Sequence, residues 1–406
     1  MKSVFYGWWI AAASFFIALY VAGIIFFGFT AFFEPIVEEF GWSYTEVSIG
    51  VSLRGLEMGI LAPLIGFLVD RFGSRKLVLF GVITVGFGLL FLSRTQSLIT
   101  LYAGFLLLSL GAGGCTSVVL YTAVANWFKR NIGRALGIVA CGFGAGGIMV
   151  PLVPWLIDAY GWRTALVIFA LGMWVLGIPL ALVIRDRPEQ YGYHLDGDAE
   201  AEMVDSGIDS EIAETSFLSV IKSRTLWFIG IAESVRWLIL TAVVIHIMPY
   251  LSSIGVTRAN AAFVAAAVPL LSLIGRFGFG WLADMFNKRY LMAITYCLTG
   301  VAMIALSYAS AWSAMILFLL FFSMALGGGV TLRGAMLSEY FGRASFGKVL
   351  GTIMGVCAIG GIVGPVFAGL TFDTMGSYQL IWLAFAGLTV ISVGLILAVG
   401  PASAGS

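Results

Sequence analysis

The sequence predicts an all-α membrane protein: twelve transmembrane helices in two six-helix bundles related by a pseudo-two-fold axis. Three observations carry this. The 406 residues are 60% hydrophobic and 11% charged, with a mean hydropathy of +1.02, outside the range of water-soluble domains. The apolar runs reach the roughly 20 residues needed to cross a bilayer. The second half repeats the first at a constant offset of 214 positions. Gly66–Phe72 (GFLVDRF) matches Gly280–Phe286 (GWLADMF), Arg75 falls on Arg289, and Gly133–Gly137 (GRALG) matches Gly347–Gly351 (GKVLG). Gly146, Gly147, Ile148 and Pro151 fall on Gly360, Gly361, Ile362 and Pro365.

Composition also excludes. A net charge of +1 leaves no basic face for nucleic acid. Cys115, Cys141, Cys297 and Cys357 lie inside apolar runs without CxxC spacing, so they read as packing residues and not as a disulfide framework or metal site. The first apolar run is too long for a cleavable signal core and lacks a small-residue cleavage site.

The spans follow in order. The first, 7–33, runs up to Glu34-Pro35. The second, 44–69, opens on Ser43-Tyr44-Thr45-Glu46, which has capping-box spacing. The third, 76–93, ends at Arg94, and the fourth, 98–127, ends before Lys129-Arg130. The fifth, 134–158, and sixth, 162–184, are separated by Gly161. Residues 186–216 form the one long polar connection, rich in Asp and Glu. Span seven is 225–251, eight 259–283, nine 289–309, ten 311–339, eleven 347–371 and twelve 377–399, each bounded by charges, turn residues or aromatics. The expected division is therefore a bundle over 1–185, a linker over 186–216 and a second bundle over 217–406. Two parallel copies of six spans are the layout of a transporter whose site lies near the bilayer midplane.

Lys and Arg set the orientation. One side collects Lys2, Arg71, Arg75, Lys76, Lys129, Arg130, Arg134, Arg185, Arg187, Lys222, Arg224, Lys288, Arg289, Arg343 and Lys348, against Arg94, Arg163 and Arg258 on the other. Both termini and the linker are expected on the basic, cytoplasmic side. Arg54, Arg236, Arg276 and Arg333 lie within spans.

Ionisable groups inside a span are costly and mark substrate or ion paths. Arg276 stands first. A guanidinium stays charged, and its planar fork grips a carboxylate through two charge-assisted bonds. Ser272, one turn earlier, supplies no acid on the same helix face. The competing reading is a structural Arg neutralised by a neighbouring acid or by carbonyls. Tyr121 is expected at similar depth, as a hydrogen-bond partner for substrate or as a packing Tyr bonded to a carbonyl. His246, the intramembrane His, either contacts the substrate or titrates, or it bonds a carbonyl near Pro249. Phe27 is a candidate for the apolar lining. Glu57 and Glu233 stand three residues from Arg54 and Arg236, the spacing of ion pairs on one helix face. The other reading makes one of these acids, or the substrate–Arg276 pair itself, the carrier of a coupled proton; Arg333 is an alternative partner for Glu233. Pro151 and Pro365 are expected to let the fifth and eleventh spans bend.

Gly66-Phe67-Leu68-Val69-Asp70-Arg71-Phe72-Gly73-Ser74-Arg75-Lys76 resembles the signature that follows the second span of the major facilitator superfamily; Gly280, Asp284 and Arg289 keep part of its echo. Within that superfamily three stretches are similar to the monocarboxylate and oxalate–formate branch. They are Tyr6-Gly7-Trp8-Trp9, the connection Asn126–Ala135, and Arg185–Gly192 followed by Asp196-Gly197-Asp198. The resemblance implies a bacterial inner-membrane carrier of a lactate- or pyruvate-class monocarboxylate, with Arg276 at the branch's substrate position. It further implies proton symport by alternating access, the proton as coupling ion with no other cofactor, and action as a monomer in the lipid bilayer. Gly66, Asp70, Arg71, Gly73, Arg75, Arg134 and Asp284 then read as gate residues, with Asp70 meeting the start of the eleventh span near Gly347. The chain departs from the branch in two ways. The eleventh span lacks a second cation beyond Lys348, and the positions of a first-span Lys and an eighth-span Asp hold Phe27 and Ser272. The alternatives are an oxalate–formate type anion exchanger and a membrane sensor without transport. No nucleophile triad, phosphate loop or metal-spaced cluster points to an enzyme.

Overall fold

A computed structural model describes residues 5–53, 62–128, 131–194, 223–309 and 311–400; within the helices, the surroundings of residues 62, 63, 66, 70, 117, 338 and 342–348 are not described. Every element among the described residues is helical. Among the described residues, eleven stretches are long and apolar enough to cross a membrane. The expected second span is represented by two shorter helices on either side of residues 54–61, which lie outside the described set.

The chain divides into two compact units, one of Met1–Gly41 with Ile60–Val204, the other of Trp42–Gly59 with Asp205–Ser406. In the first, α1 (Tyr6–Tyr20) passes through a wide π-helical turn, Val21–Phe27, into α2 (Thr30–Phe40). Gly28 N–H reaches back five residues to the Gly23 carbonyl, the bond that widens this turn. After α4 (Ala62–Phe72) come α5 (Ser74–Ser93), α6 (Leu98–Gly113) and α7 (Ser117–Ala125). The fifth span is broken as its proline demands: α8 (Ile132–Ala145) gives way to a 3-10 turn at Gly146–Met149, and α9 (Leu152–Tyr160) starts after Pro151. The unit closes with α10 (Trp162–Val183). Trp162, the first residue of α10, is buried, and its ring N–H donates to Glu39 Oε2 at 2.6 Å. Arg163 pairs with the same carboxylate and stacks over the Trp162 ring at 4.2 Å.

The second unit contains α3 (Tyr44–Ser52), α11 (Arg224–Ser253), α12 (Arg258–Met285), α13 (Lys288–Ser307), α14 (Trp312–Met375) and α15 (Gln379–Ala398). Helix α14 carries the tenth span over Trp312–Phe341 and the eleventh over Val349–Met375. The expected bend at Pro365 does not interrupt it. The capping box of α3 is formed as its sequence predicts: Glu46 N–H donates to Ser43 Oγ at 3.1 Å, and Ser43 N–H to Glu46 Oε2 at 2.8 Å. Most of the expected linker, 195–216, lies outside the described residues.

Candidate functional site

Three helices of the second unit meet around a short glycine-rich run of α14. Gly327 lies against the backbone of Ser272 and Arg276 on α12, and Gly328 against the Phe279 ring. Gly329 faces α11, where a Cβ would meet Arg236 Nη1 at 3.1 Å. Thr331 Oγ donates to the Arg276 carbonyl at 3.4 Å. Lacking side chains, the glycines let α14 sit close to both neighbours.

In this setting Arg276 is half-buried, whereas Ser272 and Gly275 are buried. It lies nine residues before the end of α12 at Met285, about 14 Å at the helical rise. On α11, Glu233 is 0% exposed and Arg236 4%. Arg236 Nε and Nη2 donate to the two oxygens of Glu233 at 2.9 and 2.7 Å, a bidentate pair. Tyr296 of α13 donates to Oε1 at 3.0 Å, and Arg333 Nη1 of α14 to Oε2 at 3.3 Å. Both partners proposed for Glu233 from the sequence thus hold it together. Glu57 and Arg54 lie outside the described residues.

His246 is completely buried. Its Nε2 lies 3.0 Å from both Ser48 Oγ of α3 and the Pro365 carbonyl, and its Nδ1 3.0 Å from the Tyr378 hydroxyl. A carbonyl only accepts, so this arrangement places the proton on Nε2 and makes Nδ1 the acceptor of the Tyr378 O–H. Both ring nitrogens are therefore engaged by protein. A second contact fixes the same helix. The Asp373 carboxylate, near the end of α14, accepts from Tyr44 N–H at 2.9 Å and Thr45 N–H at 2.7 Å, and also from the Thr45 hydroxyl. A carboxylate at a helix N-terminus satisfies free amides and opposes the positive end of the dipole. Sequence reasoning missed Asp373, Ser48 and Tyr378. Asp373 was visible as an acid closing an apolar span, but its partners are more than 300 positions away.

The candidates of the first unit stand apart from these in the chain. Phe27 closes the π-helical turn, half-buried and edge-on to Phe26. Tyr121 is half-buried on α7, edge-on to Phe143 at 6.5 Å. Of the signature residues, Gly73 has φ +84 and starts α5, a backbone state that glycine adopts without strain. Asp186, after the sixth span, accepts from Arg75 N–H at 2.9 Å, and a Cβ on Gly73 would lie 2.6 Å from its carboxylate. Its motif was visible in the sequence; its hold on the signature loop was not. Arg185 beside it is sandwiched between Tyr6 and Tyr191, at 4.1 and 4.4 Å from the ring centroids. Arg71 lies over the Phe72 ring. Arg71, Arg134 and Asp284 are exposed. Gly66 and Asp70 belong to α4, but their surroundings and those of Gly347 lie outside the described residues.

Comparison with known proteins agrees with this architecture. The sequence pattern of the Major Facilitator Superfamily matches residues 14–252 and 226–405. Monocarboxylate transporter 12 of Rattus norvegicus is 26% identical over 420 residues, covering 97% of this chain and 85% of the relative. Monocarboxylate transporter 2 of the same species is 24% identical over 417 residues, covering 96% and 82%. Among solved structures, a bacterial homolog of the human lysosomal transporter Spinster, inward-facing and occupied, superposes with a TM-score of 0.75 at 16% identity, covering 98% of this chain and 95% of that one. The nucleoside transporter NupG does so with 0.74 at 12% identity, covering 98% and 99%. The last two likenesses concern the fold.

Proposed function

We propose that this chain, which belongs to the Major Facilitator Superfamily and is a membrane transporter, not an enzyme, carries small monocarboxylates of the lactate and pyruvate class by proton-coupled symport. The observation that carries the reading is Arg276, a half-buried arginine nine residues inside one end of a membrane-spanning helix. Such a group offers an anion a charge-assisted, two-pronged grip in a medium of low dielectric. The similarity to proteins named monocarboxylate transporters supports the choice of carboxylate.

In this reading the substrate carboxylate docks on Arg276, and Tyr121, Phe27 and His246 are the further substrate contacts assigned to the path. His246 holds Ser48 and Tyr378 in the present arrangement, so substrate reaches its ring only when α3 moves. A loaded, neutralised site lowers the cost of rocking between inward- and outward-open states, whereas an empty charged one differs. The proton travels with the substrate on the Arg276 pair or on one of the two in-span acids, Glu57 and Glu233. Gly66, Asp70, Arg71, Gly73, Arg75, Arg134 and Asp284 serve the basic-side gate. The location is a bacterial inner membrane with both termini cytoplasmic, and the working unit is a monomer.

Reconstituted protein tests this directly. Liposomes should accumulate labelled L-lactate when an inward proton gradient is imposed, and Arg276→Ala should abolish it while the protein still inserts. Full lactate uptake by Arg276→Ala rejects the assignment. Counterflow from preloaded vesicles without a gradient requirement would favour exchange over symport.

A further inference from the structure

Among the described residues, the ion cluster of Glu233, Arg236 and Arg333 does not balance. Glu233 contributes one negative charge, while Arg236 and Arg333 contribute two positive ones. The carboxylate accepts four bonds, from Arg236 Nε and Nη2, Tyr296 and Arg333, which fills its lone pairs. It has no capacity left to satisfy the second guanidinium. Two donors show the excess. Arg236 Nη1 is buried and has no hydrogen-bond acceptor among the described residues. Arg333 reaches Glu233 through one nitrogen, at 3.3 Å, and is 13% exposed. A surplus cation buried in a membrane span calls for an anion.

The position is also specific. Glu233 lies nine residues into α11 and Arg333 eight residues before Phe341, close to the depth of Arg276 in its own helix. Arg333 follows Thr331, which touches the Arg276 backbone, by two residues on α14. From the charge count and this placement we infer a second carboxylate-binding position in the second unit. Arg333 is its principal donor and Arg236 Nη1 supports it; the occupant is a second carboxylate, either the far end of a short dicarboxylate or that of a second monocarboxylate. The inference deepens the reading of Arg276 as the first carboxylate site and rests on it for the cargo class. A guanidinium fork suits a carboxylate in preference to a spherical anion.

Titration calorimetry on the purified full chain, with L-lactate and with succinate as probes, tests this and separates the two sources of the second carboxylate. If it is the far end of a dicarboxylate, wild-type protein binds one succinate. Arg333→Gln then lowers the succinate-to-lactate affinity ratio at least tenfold, and Arg333→Lys, which keeps the charge but not the fork, falls between. If it belongs to a second monocarboxylate, wild type binds two lactates and Arg333→Gln binds one. Wild-type protein that binds no succinate and only one lactate overturns the inference without any variant. So does a folded Arg333→Gln, checked by its melting curve, that keeps both the affinity ratio and the stoichiometry. Arg276→Gln tests the other reading separately: retained lactate binding there rejects Arg276 as the first site, while an Arg333-dependent succinate signal would still stand.

Discussion

Gly146 in the first unit and Gly360 in the second occupy matching places 214 positions apart. A Cβ on Gly146 would lie 2.7 Å from the Gly23 amide, and one on Gly360 would collide with the Ser234 carbonyl. Both are close helix crossings, and both copies need them. The charged cluster follows the opposite rule. At the same offset, Arg276 corresponds to Ala62, Tyr296 to Val82 and Arg333 to Val119. Val82 and Val119 are completely buried. The repeat therefore preserves the scaffold that lets helices approach, while the second copy alone carries polar chemistry at these positions.

This asymmetry can be broken experimentally, starting with the largest effect. If, as proposed, Arg276 grips the substrate through two charge-assisted bonds of about 1.5–3 kcal/mol each, its replacement by Ala should lower lactate affinity by about 100-fold or more, measured by calorimetry and uptake. Glu233→Gln strips the neutralising charge from two guanidiniums that are largely buried; about 3–5 kcal/mol of stability should be lost. The expected sign is a lower melting temperature in detergent, and an unchanged melting curve would rule out Glu233 as the anchor of the cluster. The shared scaffold predicts symmetry instead. Gly146→Ala and Gly360→Ala should each cost about 1–3 kcal/mol through overpacking, and an effect confined to one copy would weaken the claim that the crossings are equivalent. The smallest change is Asp373→Ala, which uncaps α3. A loss of about 1 kcal/mol should appear as faster hydrogen exchange at the Tyr44 and Thr45 amides, with the Ser43–Glu46 capping box retaining part of the protection.

Much of the architecture was legible in the residues. Run length and hydropathy placed the spans because a bilayer core admits only backbones that satisfy their own hydrogen bonds. The capping box at Ser43–Glu46 and the break at Pro151 were equally local, since each depends on residues within one helical turn. Arg236 was assigned to Glu233 from its i,i+3 spacing. The simultaneous engagement of Arg333 and Tyr296 was not legible, because it depends on which faces of α13 and α14 turn toward α11.

His246 and Pro365 show where local reasoning stops. A proline inside a span signals a bend through its missing N–H, yet α14 continues through it, and the carbonyl at that residue accepts from His246. The grouping of α3 with the second unit is of the same kind. Its apolar face is written in the sequence, but its hydrogen-bond partners Asp373 and His246 come from two distant segments. The sequence by itself determined the duplicated helical frame, its membrane setting and the cation at Arg276, because these follow from hydropathy, repeat spacing and charge count. Only the tertiary structure decided how many cations share Glu233 and which helix His246 and Asp373 hold, because hydrogen-bond geometry between remote segments exists only after the helices have packed.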